Sequence, residues 1–214
     1  MTVAIDIDTP HGLARAHLHP VDEPRAALVL GHGAGGGVES RDLAAATDAA
    51  MSESVSVALV EQPYRVSGRR SPAPARQLEA AWTAAVEHLG ASELDGLPLI
   101  VGGRSLGARV ACRTVAATGA IAVLCLAFPL QPRRRSADPP PSRLPELDAV
   151  TIPTLVVQGE RDPFGMPPPS ANRIVARVPG DHSLRTDLEA VAAAVQSWIS
   201  QLGHQNLKEL MKSK

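Results

Sequence analysis

Ser105, Asp162 and His182 are the side chains best placed by type and spacing to do chemistry, and the chemistry would be nucleophilic attack on a carbonyl carbon. Ser105 sits in Gly103-Arg104-Ser105-Leu106-Gly107, between the apolar run 98–102 and the helix-forming stretch 108–112. That reads as strand, sharp turn, helix, with a serine at the tip. A serine in such a turn adopts a strained backbone conformation that lifts its hydroxyl above the sheet, and glycines two residues to either side remove side chains that would collide. A free serine hydroxyl is a poor nucleophile, so the same chemistry also requires a base, a group to orient the base, and donors for the oxyanion.

Each requirement has a candidate. Asp162 follows the β-branched run 154–157 in Gly159-Glu160-Arg161-Asp162-Pro163-Phe164-Gly165, at the carboxyl end of a strand, where open α/β sheets place their chemistry. Pro163 disfavours helical geometry at Asp162 and holds it in a turn. Taken alone, an Asp-Pro pair reads as a surface turn; the upstream serine turn makes Asp162 the acid. Of seven histidines, His182 alone combines a loop after a strand with a place downstream of the acid. His17 and His19 share one face of an early strand and His88 falls in a helix, so these read as structural or solvated. Neighbouring Asp181 reads as a cap for the helix that follows.

The oxyanion donors are assigned to the N–H groups of Ala34 and Leu106. Ala34 belongs to Gly31-His32-Gly33-Ala34-Gly35-Gly36-Gly37, whose glycines let the backbone turn N–H groups toward negative charge. Leu106 opens the helix after the serine, at its positive end. A phosphate loop is the competing reading of the glycine run, but the run continues into Val38-Glu39-Ser40 and lacks the Gly-Lys-Ser/Thr ending.

The order serine, acid, histidine and the motifs around it resemble the α/β-hydrolase superfamily. Gly-His-Gly-Ala-Gly-Gly, Gly-Gly-Arg-Ser-Leu-Gly-Ala-Arg, Leu126-Ala127-Phe128-Pro129-Leu130 and the segment around Asp162 resemble its small, lid-less, dienelactone-hydrolase-like members, in particular the family related to a subunit of the NSL chromatin complex. The resemblance implies a serine hydrolase cleaving an ester or thioester through an acyl-enzyme on Ser105, with a small-molecule substrate and no cofactor. Some relatives are thought to be non-catalytic, so a non-catalytic interaction module with the same fold is the alternative. Tyr64 and Phe164, two of five aromatic residues, are brought toward the site by their loops and are assigned to substrate contact.

These residues need a scaffold, and the hydrophobic pattern supplies one. Apolar or alternating runs predict strands near 3–7, 14–19, 26–31, 55–60, 98–103, 121–127, 153–158 and 173–178. Amphipathic stretches predict helices over 40–52, 74–90, 105–118 and 183–202. Their alternation predicts an α/β fold, a mostly parallel sheet of about eight strands covered by helices on both faces. Thr9-Pro10-His11-Gly12 joins the first two strands as an antiparallel hairpin at one edge. The proline-rich segment 129–145, which carries Arg133-Arg134-Arg135, cannot form a helical lid and predicts an open site. The arginine run is given no role.

A chain of 214 residues predicts one domain over 1–202. The tail 203–214 holds all three lysines and reads as a short extra helix or an appended tag. A net charge of −1 offers no field for nucleic acid or an anionic membrane. No leader or membrane-spanning run is seen, which makes the cytoplasm the default. Cys112 and Cys125 read as small buried hydrophobes, and no Cys/His spacing suggests a metal.

Overall fold

In the computed structural model, residues 3–132 and 141–204 are described. Their strands are β1 (Val3–Thr9), β2 (Gly12–His19), β3 (Ala26–Gly31), β4 (Val55–Glu61), β5 (Leu99–Arg104), β6 (Ala122–Leu126), β7 (Thr154–Gly159) and β8 (Arg173–Val178). Their helices are α1 (Arg41–Ser52), α2 (Pro63–Val66), α3 (Ala75–Gly90), α4 (Leu106–Thr118), α5 (Leu144–Asp148) and α6 (Leu188–His204). Each expected strand forms, with its ends moved by no more than two residues. Among the described residues, no helix is long and apolar enough to cross a membrane.

The strands form one sheet in the order β1-β2-β4-β3-β5-β6-β7-β8. The β1–β2 hairpin pairs antiparallel and joins β4 antiparallel, while β4, β3, β5, β6, β7 and β8 run parallel. Parallel strands need both faces covered, and the alternation of side chains shows how this is done. In β3, Ala27 and Val29 face one core while Ala26, Leu28 and Leu30 face the other. In β6, Val123 and Cys125 face the first, Ala122, Leu124 and Leu126 the second. Helices α3 and α4 close the first core, with Trp82 and Val110; α1 and α6 close the second, with Leu43 and Trp198.

After β3 the chain crosses to β4 on one side and later to β5 on the other, so the loops after β3 and β5 diverge at their carboxyl ends. Such a reversal leaves a crevice where open α/β sheets bind ligands. Three glycines let backbones close in beneath it. A Cβ on Gly102 would lie 2.1 Å from the Leu124 carbonyl oxygen, on Gly103 2.5 Å from that of Gly31, and on Gly107 2.4 Å from the same atom.

The helix expected from 183 begins at Leu188 instead. Asp181 Oδ1 accepts from the N–H and the hydroxyl of Ser183, and Leu184 takes a left-handed φ of 52°, which no α-helix contains. Asp181 therefore closes a turn and does not cap the helix; Asp187 does so, its Oδ1 accepting from the Ala190 N–H at 2.9 Å. The short helices α2 and α5 were not expected. Each has proline in its first turn, where the missing N–H is no loss.

Candidate active site

Ser105 ends the β5 turn with φ 53° and ψ −103°, a strained backbone for a residue with a Cβ, costing about 1–3 kcal/mol. The surroundings enforce it. The Ser105 N–H donates to the Leu126 carbonyl at 2.9 Å, and the Ser105 carbonyl accepts from the Arg109 N–H at 3.2 Å. The glycines at 103 and 107 allow the turn to press against β3. The seryl side chain is thereby delivered above the carboxyl end of the sheet.

His182 and Asp162 meet it there. His182 Nε2 lies 2.9 Å from Ser105 Oγ, and His182 Nδ1 lies 2.8 Å from Asp162 Oδ2. An ionised carboxylate can only accept, so Nδ1 carries the imidazole proton and Nε2 is left to accept from the serine hydroxyl. Asp162 has an almost fully buried side chain and is saturated with donors. Oδ2 also accepts from Gln158 Nε2 at 2.8 Å, and Oδ1 accepts from the Phe164 N–H at 2.8 Å. The Phe164 ring lies against His182, with centroids 4.4 Å apart and planes tilted by 56°. The structure thus places Phe164 at the base.

The glycine loop after β3 is organised by His32. The buried Gln62 N–H donates to His32 Nε2 at 3.1 Å, so the ring proton is on Nδ1 and is donated to the Gly33 carbonyl at 2.8 Å. Ala34 is fixed from the other side, because its carbonyl accepts from the Tyr64 hydroxyl at 3.1 Å. Tyr64 is only 4% exposed, and burial pushes its phenol up to about 12. The Tyr64 hydroxyl is thereby tied to the loop that carries Ala34. A cavity of about 440 Å³ does border Tyr64, with His11, Ser67 and Gln77 in its wall, but Ser105 and His182 are not among its lining residues. Leu106 opens α4 next to Ser105.

Burial holds His32 below the usual histidine range, opposed by its bond to Gly33, and protonation would set an Nε2–H against the Gln62 N–H. An unfolded chain takes up this proton near pH 6.5, and the folded chain only at lower pH. Acidification below about pH 6.5 therefore favours the unfolded state. His19, also lowered chiefly by burial, adds in the same direction. Urea unfolding at about pH 7.5 and about pH 5.5 should show the wild type losing stability on acidification, and His32→Gln losing less. An equal loss in both proteins would show that His32 is not the group responsible.

Sequence reading missed Gln158, Arg104 and Asp42. Gln158 is fully buried at the end of β7, and its Nε2 also reaches the Phe128 and Gly165 carbonyls at 3.1 and 2.9 Å. Its one visible signal is a polar residue ending a mostly β-branched run. Arg104 Nε donates to Asp42 Oδ2 at 2.7 Å, and Arg104 Nη2 donates to the His182 carbonyl at 3.1 Å. Nothing in the sequence pairs residues 62 apart. Cys112 and Cys125 are free, buried and 3.5 Å apart at sulfur. His17 pairs with Glu61 across the sheet at 3.0 Å. Among the described residues, no cluster of three or more His, Cys, Asp or Glu side chains is placed to hold a metal ion. Arg133–Arg135 and most of the tail, 205–214, lie outside the described residues.

No curated protein matches the chain in sequence. Solved structures match over nearly its whole length. A lid-less α/β serine hydrolase from Xanthomonas campestris is 18% identical, with 94% of each chain covered and a TM-score of 0.73. A dienelactone hydrolase from Anabaena variabilis is 16% identical, with 95% of this chain and 97% of that one covered and a TM-score of 0.72. An esterase domain from a Rhodothermus marinus protein is 13% identical, with 95% and 99% covered and a TM-score of 0.67. At these identities the likeness speaks to the fold. Residues 24–200, which run from the start of β3 nearly to the end of α6, match the family described as the alpha/beta hydrolase domain, and it is to this α/β-hydrolase family that the chain belongs.

Proposed function

We propose that the protein is a serine hydrolase that cleaves a carboxylic ester or thioester through an acyl-enzyme on Ser105. The observation that carries the reading is the unbroken hydrogen-bonded line from Ser105 Oγ to His182 Nε2 and from His182 Nδ1 to Asp162, at 2.9 and 2.8 Å. Serine attacks the carbonyl carbon while His182 takes its proton, and the resulting imidazolium is stabilised by the buried Asp162 carboxylate. The oxyanion is held by the N–H groups of Ala34 and Leu106, the latter aided by the positive end of α4. His182 then returns its proton to the leaving oxygen or sulfur, and water repeats the cycle on the acyl-enzyme.

The loop fixed by His32 and Tyr64 supports this reading, because oxyanion donors are effective when they need no rearrangement as charge develops. A fluorophosphonate should label Ser105 and no other residue, as read by mass spectrometry of the adduct. Absence of labelling in demonstrably folded protein would favour a non-catalytic module that kept the fold.

A further inference from the structure

We propose that Arg104, anchored on the buried carboxylate of Asp42, is a positioning residue that holds the His182 loop in register with Ser105. The proposal rests on the serine-hydrolase reading above. Arg104 immediately precedes the serine, so its backbone belongs to the turn that presents the nucleophile. Its guanidinium lies where three other segments converge. Nε donates to Asp42 in the first turn of α1 at 2.7 Å, Nη2 donates to the His182 carbonyl at 3.1 Å, and Nη1 lies 2.7 Å from where a Cβ on Gly33 would be. The fork therefore spans the serine turn, the base loop and α1, and it also lies against the glycine loop.

The base loop needs such a tie. It leaves β8 through Gly180, at φ 117°, and passes Leu184, at φ 52°. Its backbone is held on the β7 side by the bond from the Arg161 N–H to the Gly180 carbonyl at 2.9 Å. Asp162 fixes the far edge of the imidazole; the Arg104 bond to the His182 carbonyl fixes the backbone from which that ring hangs. Displacing a catalytic group by about 1 Å can cost about 100-fold in rate, so the constraint bears directly on turnover.

The residue types fit the task. Asp42 has a side chain only 1% exposed, and Arg104 one 18% exposed. A buried ion pair contributes little to stability against an apolar pair of similar volume. A planar fork can direct two N–H groups to separate acceptors at once, whereas lysine presents a single point charge. Arg104 thus does something for which a charge alone is insufficient. A side chain at Gly33 would require the fork to shift.

The test uses Arg104→Lys, which keeps a partner for Asp42, and the double variant Arg104→Met with Asp42→Leu, which leaves no buried charge unpaired. The single Arg104→Met is avoided because it strands that carboxylate and invites unfolding. In both variants kcat on a p-nitrophenyl ester and the rate of fluorophosphonate labelling should fall by about tenfold or more, with KM within about twofold of wild type and Tm preserved. The downfield proton resonance of the His182 Nδ1–H, visible only while that proton is protected from exchange, should broaden or vanish. Wild-type labelling rates and an intact resonance in both variants would overturn the proposal. So would a rise in KM at unchanged kcat, which would make Arg104 a substrate contact. A wild-type protein that fluorophosphonate fails to label would overturn the hydrolase reading instead, and the resonance would then decide the clamp without reference to activity.

Discussion

His182→Ala should lower kcat on a soluble p-nitrophenyl ester by about 10⁴-fold or more, a loss on the scale of removing the Ser105 nucleophile itself. The ring nitrogen 2.9 Å from Ser105 Oγ is the acceptor placed to take the serine proton, and alanine leaves nothing in its place. The residual rate should be that of binding and the oxyanion donors. His182 is half-buried on a loop and not packed inside either core, so the fold should survive, with Tm close to wild type. Labelling of Ser105 by fluorophosphonate should fall in parallel, because the same proton must leave. A folded His182→Ala variant within tenfold of wild type would mean that another base serves the serine.

Asp162→Asn should lower kcat by about 10²-fold or more, while Asp181→Asn should cost about tenfold or less. The two residues flank His182 in different ways. Both oxygens of Asp162 face donors: Oδ2 accepts from His182 Nδ1 and Gln158 Nε2, and Oδ1 from the Phe164 N–H. An amide places an NH₂ against one of these donors in either orientation, so the imidazole loses its fixed tautomer or the loop loses its bond to Phe164. The Asp181 carboxylate is bonded to the N–H and hydroxyl of Ser183, an exposed contact that lowers it below the usual range. Kinetics of the two variants on one substrate decide the matter. Equal losses, or the reverse order, would overturn the assignment of Asp162 as the orienting acid.

The architecture was legible because it rests on short-range regularities. Near-continuous apolar runs such as 26–30 and 154–157 reflect strands with both faces buried, and glycines at 103 and 107 mark a turn that tolerates no Cβ. The start of α6 was not legible, because the left-handed Leu184 and the Asp181–Ser183 turn are compatible with a helical pattern and are imposed by packing of the base loop. The bond of the Tyr64 hydroxyl was not legible either, because loop position says nothing of where a hydroxyl points. Its bond to the Ala34 carbonyl depends on the loop after β3 and the helix after β4 arriving side by side.

Residue types, chain order and hydrophobic period were enough to identify an α/β sheet with Ser105, Asp162 and His182 at the carboxyl ends of β5, β7 and β8, since each is a local signal written beside a strand. Contacts across the sheet were beyond them. The Arg104 fork to Asp42 and to the His182 carbonyl, the Gln158 amide on Asp162 and the two-sided bonding of His32 join segments brought together by the order β4-β3-β5-β6-β7-β8. Their geometry depends on strand register and on backbones closing to within a Cβ of one another, distances that follow from packing the whole sheet and that no stretch of sequence carries.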